Sequence, residues 1–76
     1  MEYKDRIVSD HRIMLGKPVI KGTRITVELL LRKLSEGVSM KEILTMYTKL
    51  KKEDIYACLT YASQVIGNEE ILVAKK

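Results

Sequence analysis

Segments with helical periodicity fill the middle of the chain and constrain its fold more than any other feature. The first has apolar residues at i, i+3, i+4 and i+7, which form one face of an amphipathic helix. These residues are Val27, Leu30, Leu31 and Leu34. Gly37 stands where such a helix would end. The sequence therefore predicts a first helix that begins at Val27.

The second helix is predicted from its start signals. Ser39 can cap a helix, and Glu42, three residues later, can reach back to the N–H of the cap. Val38 and Ile43 flank this pair as the two ends of a hydrophobic staple. We expect the helix to begin near Ser39 and to give way at "YTKLKKED" after about eight residues.

A third and longer helix is predicted over residues 52–66. Its apolar positions repeat at +4, +7 and +11 from the first. They are Ile55, Leu59, Ala62 and Ile66. Gly67 and Asn68 follow as a stop signal. Lys51 is a poor N-cap for this helix.

Together the three segments predict a mainly α fold. A short second helix, a tight turn and a longer third helix, preceded by a supporting helix, is the trihelical arrangement of a helix-turn-helix (homeodomain-like) domain. A generic three-helix bundle is the alternative. We divide the single domain of 1–76 into an N-terminal β arm (1–26), a trihelical core (27–67) and a C-terminal tail (68–76).

The arm contains the stretch "GKPVIKGTRITV" at residues 16–27. Its apolar residues lie on both sides of Lys21 and Gly22, which predicts two short extended pieces, a β-hairpin, joined by a tight turn. Strands without a larger sheet leave N–H and C=O groups unpaired, and pairing with the same arm of a second chain would satisfy them. The residues assigned to this homodimer contact are Pro18, Val19, Ile20, Gly22, Arg24 and Ile25.

Two residues of the arm have further expected roles. Pro18 would end the hydrogen bonding of one strand, and Arg24 would hold the arm by pairing with a carboxylate or with backbone carbonyls. Direct contact of Lys17, Lys21 and Arg24 with a ligand or nucleic acid is the alternative.

Composition limits the remaining possibilities. The 76 residues include one cysteine and one histidine, so neither a disulfide nor a zinc site is expected. The charged N-terminus and the absence of a long apolar run indicate a cytoplasmic protein without a membrane span. The net charge of +4 favours an anionic partner only slightly.

No constellation for catalysis is apparent. His11 lies in an expected loop, and Cys58 lies on the apolar face of the third helix as a small core residue. Neither GxGxxG nor GxxxxGK[ST] occurs, and acidic residues lack cation-binding spacing. We expect no enzyme activity, cofactor or metal. Tyr47 and Tyr61 should border the core, and Tyr56 should point outward.

The motifs themselves resemble a known family. "GKPVIKGTRITV", "LSEGVSMKEIL" and "YTKLKKEDIYACLTYA" are similar to the signature of domain-of-unknown-function family 433, from about Ile7 to Ala62. Thr48 stands where the family commonly has proline, Lys51 where it has a capping Thr or Ser, and Cys58 where it has alanine.

The resemblance implies a prokaryotic, dimeric antitoxin of VapB type, encoded beside a PIN-like ribonuclease toxin and autoregulating its operon by binding double-stranded operator DNA. A small dimeric protein-interaction module without DNA binding is the alternative. In helix-turn-helix docking, the start of the third helix enters the major groove. The expected DNA contacts are Lys49, Lys51, Lys52, Tyr56, Thr60 and Gln64. Glu53 and Asp54 would repel phosphates there.

The tail is the last expected contact surface. Ile71, Leu72 and Val73 form an apolar run that cannot comfortably stay solvated. Either the tail folds back on the core, or it docks on a partner such as the toxin.

Overall fold

The computed structural model describes residues 3–74, and it describes side chains for residues 3–68. The elements in chain order are β1 (Ile7–Val8), a 3₁₀ turn (Met14–Gly16), β2 (Val19–Ile20), α1 (Val27–Ser35), α2 (Met40–Met46) and α3 (Lys52–Ala74). The predicted fold is confirmed: three helices form a helix-turn-helix domain, and a short two-stranded antiparallel sheet precedes them.

The turn of the arm is confirmed, but its strand pairing differs from the expected one. Gly22 adopts a φ of +80°, and the Thr23 N–H donates to the Ile20 carbonyl at 3.0 Å. The segment after the turn forms only an isolated bridge, between Val19 and Thr26. The true partner of β2 is β1, with Ile7 opposite Ile20. A strand of two residues is too short to show the alternation of apolar and polar residues by which strands are recognised in a sequence.

The backbone groups of the arm find their partners inside the same chain. Three N–H donations hold it: Lys21 to the Arg6 carbonyl at 2.8 Å, Ile20 to Ile25 at 2.9 Å and Val27 to Pro18 at 2.9 Å. Val19 and Ile20 are also buried in the chain's own core, at 0% and 3% exposure. Unpaired N–H groups at these positions therefore give no reason for dimerisation, and the homodimer contact through the arm stays a prediction.

The first two helices begin and end as predicted. The Thr26 hydroxyl caps α1 by accepting from the Leu29 N–H at 3.0 Å, and Gly37 follows with a φ of +90°. At α2 the expected capping box is present. Ser39 Oγ accepts from the Glu42 N–H at 3.1 Å, and Glu42 Oε1 accepts from the Ser39 N–H at 3.2 Å. Both helices begin at capping residues that can be recognised in the sequence.

The end of α3 is where the prediction is wrong. The helix begins at Lys52 as expected but continues through Gly67 and Asn68 to Ala74. Gly67 is not among the glycines with positive φ, so it does not form a left-handed cap. A single glycine in a helix costs only about 1 kcal/mol, which its neighbours can offset. The side chains of the tail residues Ile71, Leu72 and Val73 lie outside the described part of the chain.

One core holds the helices and the sheet together. Its fully buried members include Leu30 of α1, Ile43 of α2 and Ile55 of α3. Ile7 and Ile20 of the two strands extend the same cluster. Burial of such side chains contributes about 1.5–3 kcal/mol each. Within residues 3–74, no helix is both long and apolar enough to cross a membrane.

Candidate nucleic-acid interface

Asp54 holds the start of α3. The residue is buried, at 7% exposure. One oxygen accepts from Arg6 Nη1 at 2.9 Å, and the other accepts from the Lys51 backbone N–H at 2.9 Å. This second bond is half of a capping box and offsets the missing cap side chain at Lys51. The Asp54 carboxylate therefore points inward and is paired, so it is not presented on the outward face of α3.

Three lysines surround this helix start. Lys49, in the turn after α2, and Lys51 and Lys52, at the beginning of α3, are all exposed. None of the three forms a salt bridge with another described residue. Cations at a helix N-terminus oppose the helix dipole. Helix stability therefore gives no reason for lysines here, whereas an anionic partner would.

The outward face of α3 adds uncharged polar groups. Lys52, Tyr56 and Thr60 are spaced at i, i+4 and i+8 and so lie on one face. Tyr56 is 45% exposed, as expected. The Thr60 hydroxyl donates to the Tyr56 carbonyl at 3.0 Å, which leaves its oxygen free only as an acceptor. Gln64 is exposed but lies about 120° around the helix from Lys52, at the edge of this face. Glu53 is half-buried.

Other residues singled out in the sequence lie where expected. Tyr47 and Tyr61 are half-buried at the edge of the core, and the ring of Tyr3 meets that of Tyr61 edge-on at 5.2 Å. His11 is exposed in a turn, and Cys58 is fully buried. Burial raises the pKa of the Cys58 thiol to about 12. No cluster of metal-ligating side chains is found among the described residues.

The expected pairing of Arg24 is not found. Arg24 is exposed, and no salt bridge or side-chain hydrogen bond joins it to another described residue. Lys17 instead pairs with Glu28 of α1 at 3.2 Å, and Arg32 pairs with the same carboxylate at 3.1 Å. Lys17, followed by Arg32, holds the pKa of Glu28 below its usual range. Lys17 is therefore occupied, and Arg24 is available to a partner.

A groove beside the arm was not predicted from the sequence. It has a volume of about 530 Å³ and lies where the Lys21–Gly22 turn approaches the turn between α2 and α3. Arg24 and Lys49 line it, together with Val8, Ile13, Gly22, Thr23 and Ile25. We call it the Arg24–Lys49 groove. The two cations are 25 residues apart in the sequence, so no local pattern reveals their proximity.

A left-handed turn inside the N-terminal arm was also not predicted from the sequence. Met14, Leu15 and Gly16 have φ values of 50°, 57° and 87° in succession. The left-handed conformation costs a residue with a side chain roughly 1–2 kcal/mol. Leu15 nonetheless remains 91% exposed. Gly16 was the sole sequence signal of this turn.

Fold and surface define a small helix-turn-helix domain with a two-stranded N-terminal sheet. Residues 7–62 match the family described as "Protein of unknown function (DUF433)", and the chain belongs to this family. A relative named "Uncharacterized protein" from Archaeoglobus fulgidus is 62% identical over 24 residues, which cover 32% of this chain and 67% of the relative. No solved structure gives a significant match.

Proposed function

We propose that the protein is an antitoxin-like DNA-binding protein of a type II toxin–antitoxin system. It binds its own operator and neutralises a PIN-like ribonuclease in the cytoplasm. The observation that carries the DNA-binding part is the group of unpaired, exposed lysines at the start of α3, namely Lys49, Lys51 and Lys52. The antitoxin part rests on the family resemblance.

The arrangement suits docking of α3 into a major groove. In helix-turn-helix proteins the N-terminal residues of the recognition helix reach base edges, while flanking cations contact phosphates. Lys49, Lys51 and Lys52 supply the phosphate contacts in this proposal. Tyr56 and Gln64 supply hydrogen-bonding groups for base edges or sugars. The inward pairing of Asp54 leaves Glu53 as the carboxylate of the first turn that is not engaged within the described chain.

The charge available predicts modest affinity for one chain. Three phosphate contacts give a slope of log K against log salt of about −2.7, because each contributes about −0.9. Affinity should then fall about 40-fold between 50 and 200 mM salt. Two chains bound to a palindromic operator would double that slope. A dimer is therefore part of the proposal.

Gel retardation of the protein's own upstream DNA tests this proposal. Lys52→Glu should weaken binding and flatten the salt dependence, because it replaces an attractive charge by a repulsive one. Lys41→Glu is the matched control, since Lys41 is an exposed, unpaired lysine in the first turn of α2 rather than α3. An unchanged affinity for Lys52→Glu would count against this face.

The second candidate function is a protein-interaction module without DNA binding. It is favoured by exposed apolar side chains on α3: Leu59 at 45%, Val65 at 43% and Ile66 at 53% exposure. Absence of any DNA retardation, combined with a stable complex with the product of a neighbouring nuclease gene, would favour this candidate.

Deletion of residues 69–76 tests the role of the tail. Loss of toxin neutralisation at unchanged thermal stability would identify the tail as the inhibitory segment.

A further inference from the structure

Arg24 differs from the other arginines of the chain. The other three each pair with a carboxylate: Arg6 with Asp54 at 2.9 Å, Arg12 with Asp10 at 2.8 Å and Arg32 with Glu28 at 3.1 Å. Arg24 is exposed and has no such partner among the described residues. Its guanidinium is therefore free to bind a ligand.

The backbone on both sides of Arg24 is held by hydrogen bonds. The Thr23 hydroxyl donates to the Ile20 carbonyl at 2.8 Å, and its oxygen accepts from the Ile25 N–H at 3.0 Å. The Ile25 carbonyl accepts in turn from the Ile20 N–H at 2.9 Å. A contact made from an ordered turn loses less conformational entropy on binding than one made from a mobile loop. The turn therefore pre-organises Arg24 for a partner.

A second cation lies in the same groove as Arg24. No carboxylate is among the described residues that line the Arg24–Lys49 groove. Two positive charges at one groove repel each other, and an anion bound between them would remove this repulsion. The volume of about 530 Å³ lies within the range of about 300–1,000 Å³ that is typical of ligand sites. The groove is therefore large enough for a small anionic group.

The walls of the groove favour a sugar–phosphate unit over a bare anion. Val8, Ile13 and Ile25 line the groove and are half-buried. Inorganic phosphate has no apolar surface to place against them, whereas the deoxyribose beside each DNA phosphate has exposed carbon atoms. Arg24 supplies a planar fork for phosphate oxygens, and Lys49 supplies a point charge. The groove therefore matches one unit of a DNA backbone.

We propose that the Arg24–Lys49 groove binds the DNA backbone, with one phosphate held jointly by Arg24 and Lys49 and its deoxyribose against the apolar wall. The inference rests on the proposed DNA binding and extends that interface from α3 to the N-terminal arm. Lys49 joins the two surfaces, because it lines the groove and is also one of the lysines around the start of α3. Backbone contacts fix the register of a protein on DNA without reading its sequence. Arg24 therefore contributes affinity rather than sequence preference.

Fluorescence anisotropy of labelled upstream DNA between about 50 and 200 mM salt tests the shared phosphate. Arg24→Gln should weaken binding about fivefold or more, because it removes a charge-assisted contact. Each of the single variants Arg24→Gln and Lys49→Gln should keep the wild-type salt slope, since one cation still neutralises the phosphate. Combining them should reduce the magnitude of the slope by about 0.9 per bound chain.

Lys21→Gln is the matched control for Arg24→Gln. It removes one positive charge from the same turn, but Lys21 does not line the groove, so its affinity should equal that of the wild type. Arg24→Lys keeps the charge without the planar fork and should recover part of the lost affinity. All these variants should melt within about 4 °C of the wild type, because the side chains that they change are exposed.

Four results would overturn the inference. If the Lys51→Gln, Lys52→Gln variant loses slope while Arg24→Gln binds as tightly as the wild type, the start of α3 binds DNA and the groove does not. An equal loss of affinity for Lys21→Gln would mean that only the overall charge of the turn matters. A slope reduced by about 0.9 in each single variant would mean that each cation holds its own phosphate. A wild type that does not bind DNA would overturn this inference together with the proposed function.

Discussion

Substitution of the buried Asp54 should destabilise the protein more than substitution of any exposed residue at the start of α3. Asp54→Ala removes the acceptor of the Arg6 guanidinium and of the Lys51 N–H, both at 2.9 Å. A charge-assisted hydrogen bond contributes about 1.5–3 kcal/mol. We take the lower value because the Arg6 side chain is 34% exposed and can rehydrate. Loss of a helix cap adds about 1 kcal/mol.

The expected loss of about 2.5 kcal/mol is large for a domain of this size, whose stability is about 4–11 kcal/mol. The melting temperature should fall by about 10–20 °C. Urea and thermal unfolding followed by circular dichroism measure both values. Glu53→Ala is the control: it removes the neighbouring carboxylate, for which no bond is described, and should cost about 0.5 kcal/mol.

A double-mutant cycle between Arg6→Ala and Asp54→Ala isolates the ion pair. We expect a coupling of about 1 kcal/mol, because the two side chains share a direct bond across 48 positions of sequence. If the coupling is zero, or if Asp54→Ala costs no more than Glu53→Ala, the assignment of Asp54 as the residue that ties α3 to the N-terminal segment is refuted.

Three further predictions concern single residues. Gly67→Ala should stabilise the protein by about 0.5–1 kcal/mol, because Gly67 lies inside α3. Gly37→Ala should instead destabilise it by at least about 1 kcal/mol, because Gly37 has a φ of +90°. A destabilised Gly67→Ala variant would mean that the helix stops at Gly67. Because burial raises the pKa of Cys58 from 9.0 to about 12, unfolding leaves a more acidic thiol, and the free energy of unfolding should fall as the pH rises from 9 to 12. Cys58→Ala should remove this dependence in pH-jump unfolding. Ser39→Ala should lower the free energy of unfolding in urea by about 1 kcal/mol through loss of the α2 cap. The control Ser35→Ala removes an exposed hydroxyl at the C-terminal end of α1 and should lower it by less than about 0.5 kcal/mol.

The helices could be predicted because their signals are local. The capping box of Ser39 and Glu42 and the spacing of apolar residues in α1 depend on residues within one or two turns. The prediction for the end of α3 was wrong because it, too, rested on local signals. Gly67 and Asn68 are local stop signals, but the residues on both sides of them favour helix, and the summed propensity of the segment outweighs the two.

The site was predictable only in part. The outward placement of the lysines and of Tyr56 was predicted from their position at the start of the third helix. The role of Asp54 did not, because it depends on Arg6 in the N-terminal segment. The Arg24–Lys49 groove was equally hidden, since it forms where two turns meet in space. Contacts between distant parts of a chain leave no period or motif in either part.

The most direct test of the proposed function is the salt dependence of DNA binding. Fluorescence anisotropy of labelled upstream DNA should show log K falling linearly with log salt for the wild type. Lys51→Gln with Lys52→Gln should reduce the magnitude of that slope by about 1.8 per bound chain, whereas Lys41→Gln should leave it unchanged. No binding by the wild type at 50 mM salt, or an equal slope for the double variant, would contradict the proposal that the start of α3 binds DNA.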